Sequence, residues 1–199
     1  MVFLPVRCAD GIRVGPMTSQ QEAKGQAALA ASVTGASPPA DAAIAVVPGS
    51  YDPVTLGHLD VIHRAGLLFD QVKVVVAGNQ DKRPLFDLPT RVELVQASLP
   101  DESRFEVVAI TGLLADYCRQ VGARAIVKGL RGGADLTHEE PMALVNRDLA
   151  GIETLFLPAS PAFGFVSSSV VRDLARHGGD VSPYVTKPVQ AALQAAFGL

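Results

Sequence analysis

From residue 44 onward, short apolar runs alternate with stretches whose apolar positions recur at helical spacing. Ile44–Val47 reads as a buried strand, after which Leu59, Ile62, Gly66 and Phe69 fall on one face of a helix. Val72–Ala77, nearly all β-branched, predicts a second strand. Thr90-Arg91-Val92-Glu93 has the form of a capping box and predicts a helix opening there, carrying Leu94, Val95 and Leu99. Phe105–Ile110 is a third strand, and Leu113–Val121 a helix stopped by Gly122. Arg124–Val127 is a fourth strand, followed by a helix over roughly 135–150 and a fifth strand at Thr154–Leu157. Ser167 or Ser168 then caps a helix ending at His177, and a last helix begins at Thr186 or Lys187 and reaches about Phe197. Strands that are apolar throughout, separated by helices, predict an α/β fold with a parallel sheet covered on both faces. Ligands of such sheets sit at the carboxyl ends of the strands.

Residues 1–43 follow another pattern. They carry Pro5, Pro16, Pro38 and Pro39, an Ala-rich patch at Ala27–Ala31, cancelling charges and no sustained periodicity. This predicts a mostly disordered N-terminal extension, with a short helical stretch around Glu22–Ser32, ahead of a domain spanning residues 44–199. An export signal fits less well, because alanine is weakly apolar and Thr34-Gly35 interrupts the patch. Met17 is an alternative start within this stretch.

Composition narrows the classes. Hydrophobic residues make up 48% of the chain, enough for a sizeable core. A net charge of −3 argues against nucleic acid as a partner. Two cysteines, Cys8 and Cys118, exclude a Cys₄ zinc site and a disulfide framework and fit a cytoplasmic protein. The chain lacks any run of 18 apolar residues, so no membrane span is expected.

Three clusters carry candidate chemistry, and each falls on a strand-to-helix connection at the same predicted sheet edge. The first is Pro48-Gly49-Ser50-Tyr51-Asp52-Pro53-Val54-Thr55-Leu56-Gly57-His58, which leaves the first strand and starts the first helix at about Gly57-His58. Free N–H groups there attract an anion, with His58 on the first turn and the Ser50 hydroxyl at the strand end. The second is Phe163-Gly164-Phe165-Val166-Ser167-Ser168-Ser169-Val170-Val171-Arg172, three serines at a helix N-terminus. The third is Lys128-Gly129-Leu130-Arg131-Gly132-Gly133-Ala134-Asp135, two cations on a glycine-rich bend suited to a polyphosphate. Lys82-Arg83, after the second strand, adds positive charge. There is no Walker P-loop, no G-x-G-x-x-G after the first strand, no G-x-S-x-G elbow and no H-E-x-x-H. Glu139 and Glu140 are adjacent and diverge on a helix, so they do not form a hydrolytic carboxylate pair.

Thr55-Leu56-Gly57-His58, paired with Val166-Ser167-Ser168-Ser169-Val170-Val171-Arg172, resembles the signature of the nucleotidyltransferase superfamily with T/H-x-G-H motifs. Pro48-Gly49-Ser50-Tyr51-Asp52-Pro53 and Lys128-Gly129-Leu130-Arg131 narrow the resemblance to the bacterial phosphopantetheine adenylyltransferases, in order over about residues 44–197. The resemblance implies a Rossmann-like, five-stranded parallel sheet. It implies adenylyl transfer from ATP to 4′-phosphopantetheine with Mg²⁺ held mainly by the ATP phosphates, giving dephospho-coenzyme A and pyrophosphate. A homohexamer and coenzyme A as a feedback ligand are further implications. By position, His58 and Ser50 would contact the ATP phosphates, Ser50 also lying near the attacking phosphate, and Tyr51 would pack and meet ATP through its backbone. Lys82 and Lys128 would bind the phosphopantetheine phosphate and the reacting region. Gly129, Leu130, Arg131 and Glu139 would line the ATP site, and Phe163, Gly164, Phe165, Val166, Ser167, Ser168 and Ser169 would hold adenine and the outer phosphates. Leu114, Val145 and Asn146 would line the pantetheine arm.

The departures from the family pattern lie between Leu136 and Val145, where Pro141 is expected to kink the helix or force a new start. Two other readings stay open. One is transfer to another phosphate acceptor, such as nicotinamide mononucleotide or a sugar or polyol phosphate. The other is a catalytically weak module that binds nucleotide or coenzyme A.

Overall fold

The valine-rich stretches form the centre of one parallel sheet. Its strands are β1 (Ile44–Gly49), β2 (Gln71–Ala77), β3 (Phe105–Ile110), β4 (Ala125–Leu130) and β5 (Glu153–Pro158), in the order β3-β2-β1-β4-β5. Every neighbouring pair is parallel. Successive side chains alternate between faces. Ala45, Val47, Val74, Val76 and Val127 therefore enter one core, while Val46, Val75 and Ile126 enter the other. The two edge strands β3 and β5 hold no fully buried residue, which is why their patterns look less apolar.

The computed structural model describes residues 42–78, 84–100 and 104–198, within the unit Ala42–Leu199. The expected N-terminal extension lies outside these residues apart from Ala42 and Ala43, and Lys82 and Arg83 lie outside them too. Among the described residues four α-helices join the strands, α1 (Leu56–Leu68), α2 (Leu88–Gln96), α3 (Leu114–Gln120) and α4 (Gly133–Ala150), and two follow the last strand, α5 (Ser168–Arg176) and α6 (Lys187–Phe197). Helices α1, α2, α5 and α6 bury Leu59, Ile62, Val95, Val171, Val189 and Leu193 in the larger core. Helix α3 covers the other face with Cys118, joined by Ile152. Burial pushes the Cys118 thiol up to about 11, so it is a small apolar filler and not a nucleophile. No helix among the described residues is long and apolar enough to cross a membrane.

Three sequence expectations need correction. Helix α2 opens at Leu88 and not at Thr90: Asp87 accepts the Thr90 N–H at 2.9 Å, so threonine is the capped residue and aspartate the cap. It ends at Gln96, leaving Leu99 beyond it but still packed on the core. Helix α4 runs on through Pro141, so the proline forces no new start. Proline removes one i→i−4 bond, and both Pro141 and the Thr137 that loses this donor are exposed, where a free carbonyl costs least. Helix α1 begins one residue before Gly57, with Thr55 as its cap.

The strand order runs outward from β1 in both directions, through β2 to β3 and through β4 to β5. A crevice opens outside the carboxyl ends of strands at such a switch point.

Candidate active site

The turn after β1 is shaped by an aromatic ring. Tyr51 has a φ of 47° and is 2% exposed, and its hydroxyl donates to the Val47 carbonyl at 2.9 Å. Its ring lies so close under Gly49 that a Cβ there would sit 2.8 Å from Tyr51 Cζ. Only glycine fits. Burial pushes the Tyr51 phenol well above its ordinary range, so it stays protonated and meets the His58 ring edge-on at 5.2 Å. Sheet and helix approach as closely elsewhere: a Cβ on Gly129 of β4 would stand 2.6 Å from Val61 Cγ2 of α1.

His58 and Thr55 cap each other at the start of α1. The Thr55 hydroxyl accepts the His58 N–H at 3.4 Å, and His58 Nδ1 accepts the Thr55 N–H at 3.0 Å. A nitrogen that accepts from a backbone N–H carries no proton, so the neutral ring holds its proton on Nε2. Burial, then the charges of Arg131 and Lys128, bring the His58 pKa down to about 4. The imidazole is therefore a neutral donor on the first turn of a helix whose free N–H groups add positive potential.

His58 faces a cavity of about 520 Å³ at the switch point. Lys128, Gly129 and Arg131 enter it from the end of β4, and Ser167, Ser168 and Ser169 from the start of α5. The Ser167 side chain caps α5 by accepting the Val170 N–H, and lies 3.0 Å from the Ser169 hydroxyl. Ser168 donates to the Pro53 carbonyl at 2.9 Å, which ties α5 to the first cluster. Three carboxylates each pair with one cation: Glu139 with Lys128 at 3.0 Å, Asp135 with Arg131 at 2.9 Å, and Asp52 with Arg172 at 3.2 Å. The hydrogen bonds of Arg131 hold the Asp135 carboxyl below its usual range. Asp52, buried, also accepts the Leu85 and Phe86 N–H groups at 2.8 and 2.9 Å. Arg91 is a fourth cation on the cavity wall.

Of the residues singled out from sequence, Ser50, Tyr51, His58, Lys128, Gly129, Arg131, Glu139, Phe163, Val166 and the three serines line this cavity. Leu130, Gly164, Phe165, Leu114, Val145 and Asn146 are not among its lining residues. Phe165 is 64% exposed and borders a second groove, edge-on to Tyr184 at 5.9 Å. Leu114 packs on the smaller core, Val145 is exposed on α4, and Asn146 is buried there. Asp52, Arg91 and Arg172 were not read as site residues. Asp52 and Arg172 stood inside quoted motifs, but Arg91 gave only a helix signal.

The arrangement suits a polyanion. Two helix N-termini, a neutral imidazole donor, hydroxyls and cations converge where charge on phosphate oxygens would gather.

The cytidylyltransferase-like family model matches residues 46–174. The chain is 55% identical over 155 residues to a phosphopantetheine adenylyltransferase of Clavibacter michiganensis subsp. michiganensis, covering 75% of this chain and 94% of that one. It is 56% identical over 145 residues to the Bifidobacterium longum protein of that name (71% and 87% covered). It is 47% identical over 156 residues to that of Thioalkalivibrio sulfidiphilus (78% and 98% covered). A solved structure from Vibrio parahaemolyticus, provisionally described as a nicotinate-nucleotide adenylyltransferase, superposes with a TM-score of 0.54 at 20% identity, covering 76% of this chain and 91% of that one. That likeness is one of fold. Colinear site motifs and relatives sharing about half of the aligned residues agree: the chain belongs to the cytidylyltransferase-like family and, within it, to the phosphopantetheine adenylyltransferases.

Proposed function

We propose that this chain transfers the adenylyl group of ATP to 4′-phosphopantetheine, releasing pyrophosphate and dephospho-coenzyme A. The observation that carries the reading is the convergence of His58, Lys128, Arg131 and the Ser167–Ser169 run on one cavity. A phosphate oxygen of the acceptor attacks the α-phosphorus in line, a P–O bond forms, and the bond to the β-phosphate bridge oxygen breaks. The attacker is already an anion and needs no base, so catalysis consists of positioning and charge stabilisation. His58 Nε2–H donates to a phosphate oxygen on which charge gathers, and Lys128 and Arg131 release their carboxylates in part as phosphate replaces them. Ser50 contacts both reactants at the strand end, and Lys82 belongs to the acceptor side of this reading. In this reading Phe163 to Ser169 hold adenine and the outer phosphates, Gly129 and Leu130 line the ATP site, and Leu114, Val145 and Asn146 line the pantetheine arm.

Among the described residues no three His, Cys, Asp or Glu side chains converge to hold a metal. Mg²⁺ enters this reading as the ion held mainly by the ATP phosphates, and no step is assigned to it. Cytoplasmic location and coenzyme A as a feedback ligand complete the reading. For assembly we propose a homohexamer, supported by α4, which exposes Leu136, Met142, Leu144, Val145 and Leu149 while burying only Asn146. Native mass spectrometry reads the number of copies directly.

The decisive experiment mixes protein, Mg-ATP and 4′-phosphopantetheine and follows pyrophosphate, with nicotinamide mononucleotide as a rival acceptor. Release with phosphopantetheine alone supports the proposal. Release only with the rival, or binding of both substrates without product, overturns it.

A further inference from the structure

Arg91 lies on α2 and is 5% exposed. Its Nη1 donates to the Ser50 carbonyl at 2.8 Å and to the Ala77 carbonyl at 3.2 Å. Ser50 directly follows β1 and Ala77 ends β2, strands that are adjacent in register with Gly49 opposite Val76. Among the described residues, the other three cations on the cavity wall each pair with a carboxylate, whereas Arg91 has none. Its Nε is buried and has no partner at all. The nearby Asp87 is exposed and caps the Thr90 N–H.

Arg91 acts on Asp87 only from beyond ion-pair distance, and a buried guanidinium with no carboxylate in contact is less favourable in the free protein than when an anion arrives. Carbonyl oxygens at a strand end would repel that anion, and Arg91 covers two of them. Fixing the Ser50 carbonyl also fixes the peptide leading into Tyr51, whose ring supports His58. The Ala77 carbonyl closes the strand that leads toward Lys82.

We propose that Arg91 is a positioning residue for the reaction, bridging the ends of β1 and β2 and supplying a positive charge, in contact with no carboxylate among the described residues, beneath the phosphates. The proposal rests on the adenylyl-transfer reading for its kinetic consequence, but not for its electrostatic one. Two variants separate the roles: Arg91→Lys keeps the charge without the planar fork, and Arg91→Met removes both. Turnover is measured per folded molecule, and affinity for inorganic pyrophosphate by calorimetry. For Arg91→Met, kcat is expected to fall about 10²-fold, the scale of a small misplacement of reacting groups. Its pyrophosphate affinity is expected to fall about tenfold. Arg91→Lys is expected to keep pyrophosphate affinity within about threefold while still losing about tenfold in kcat, because one ammonium cannot match the fork. A purely structural role would move both readouts together and follow the folded fraction, and that result overturns the proposal. So does wild-type behaviour of Arg91→Met. If the wild type turns over no phosphopantetheine but Arg91→Met still loses pyrophosphate affinity that Arg91→Lys retains, the acceptor assignment falls and the role of Arg91 stands.

Discussion

The proton on His58 Nε2 follows from one backbone hydrogen bond, and its consequences are measurable. With a folded pKa of about 4 against 6.5 unfolded, the ring stays neutral through the physiological range. Nitrogen-15 spectra are expected to show no ring titration between about pH 5 and 8, and a signal moving through that window as an ordinary histidine does would contradict the assignment. The unfolded chain binds the proton first, so this residue's contribution to stability is complete above about pH 6.5 and is lost as pH falls toward 4. For catalysis, His58→Ala is expected to leave the fold intact and lower kcat by about 10²–10³. Near-normal pyrophosphate release from the folded variant would remove His58 from the mechanism. Sequence revealed this histidine through its glycine and proline framing. It could not reveal Arg91, whose bonds run to carbonyls 41 and 14 positions away along the chain.

Helix α4 shows where local rules mislead at the scale of an element. Pro141 predicts a kink or a new start, yet one helix of 18 residues runs through it, with Pro141 and the Thr137 whose carbonyl loses its donor both exposed. The proline is still a cost. Pro141→Ala is expected to raise stability by about 2–3 kcal/mol and the thermal midpoint by several degrees, as calorimetry would show, whereas an unchanged or lower midpoint would mean that the proline shapes a needed contact. The start of α2 was misread for a related reason. Thr90 and Glu93 satisfy a capping pattern, but Asp87 followed by Pro89 satisfies a competing one three residues earlier. The strands, by contrast, were legible because buried parallel strands need apolar residues on both faces.

For the whole molecule, the class of fold was readable from the alternation of strands and helices, whereas the strand order was not, because order depends on which strands meet after the chain has wound in two directions. That order gathers positive charge in one crevice of a chain whose net charge is −3. The KM for ATP is accordingly expected to rise several-fold as sodium chloride increases from about 0.05 to 0.5 M, with kcat changing less, since salt screens attraction into the cleft before it affects bonded groups. A flat response would show that direct contacts outweigh the field.

The ties between the first cluster and α5 join positions 115 and 120 residues apart, Pro53 with Ser168 and Asp52 with Arg172. During synthesis the histidine therefore emerges long before the serines that complete its pocket. A fragment ending ahead of Ser167 would contain all five strands with His58, Lys128 and Arg131 but lack the serines and Arg172 that close the pocket, so the site is completed only when the last helices have been made.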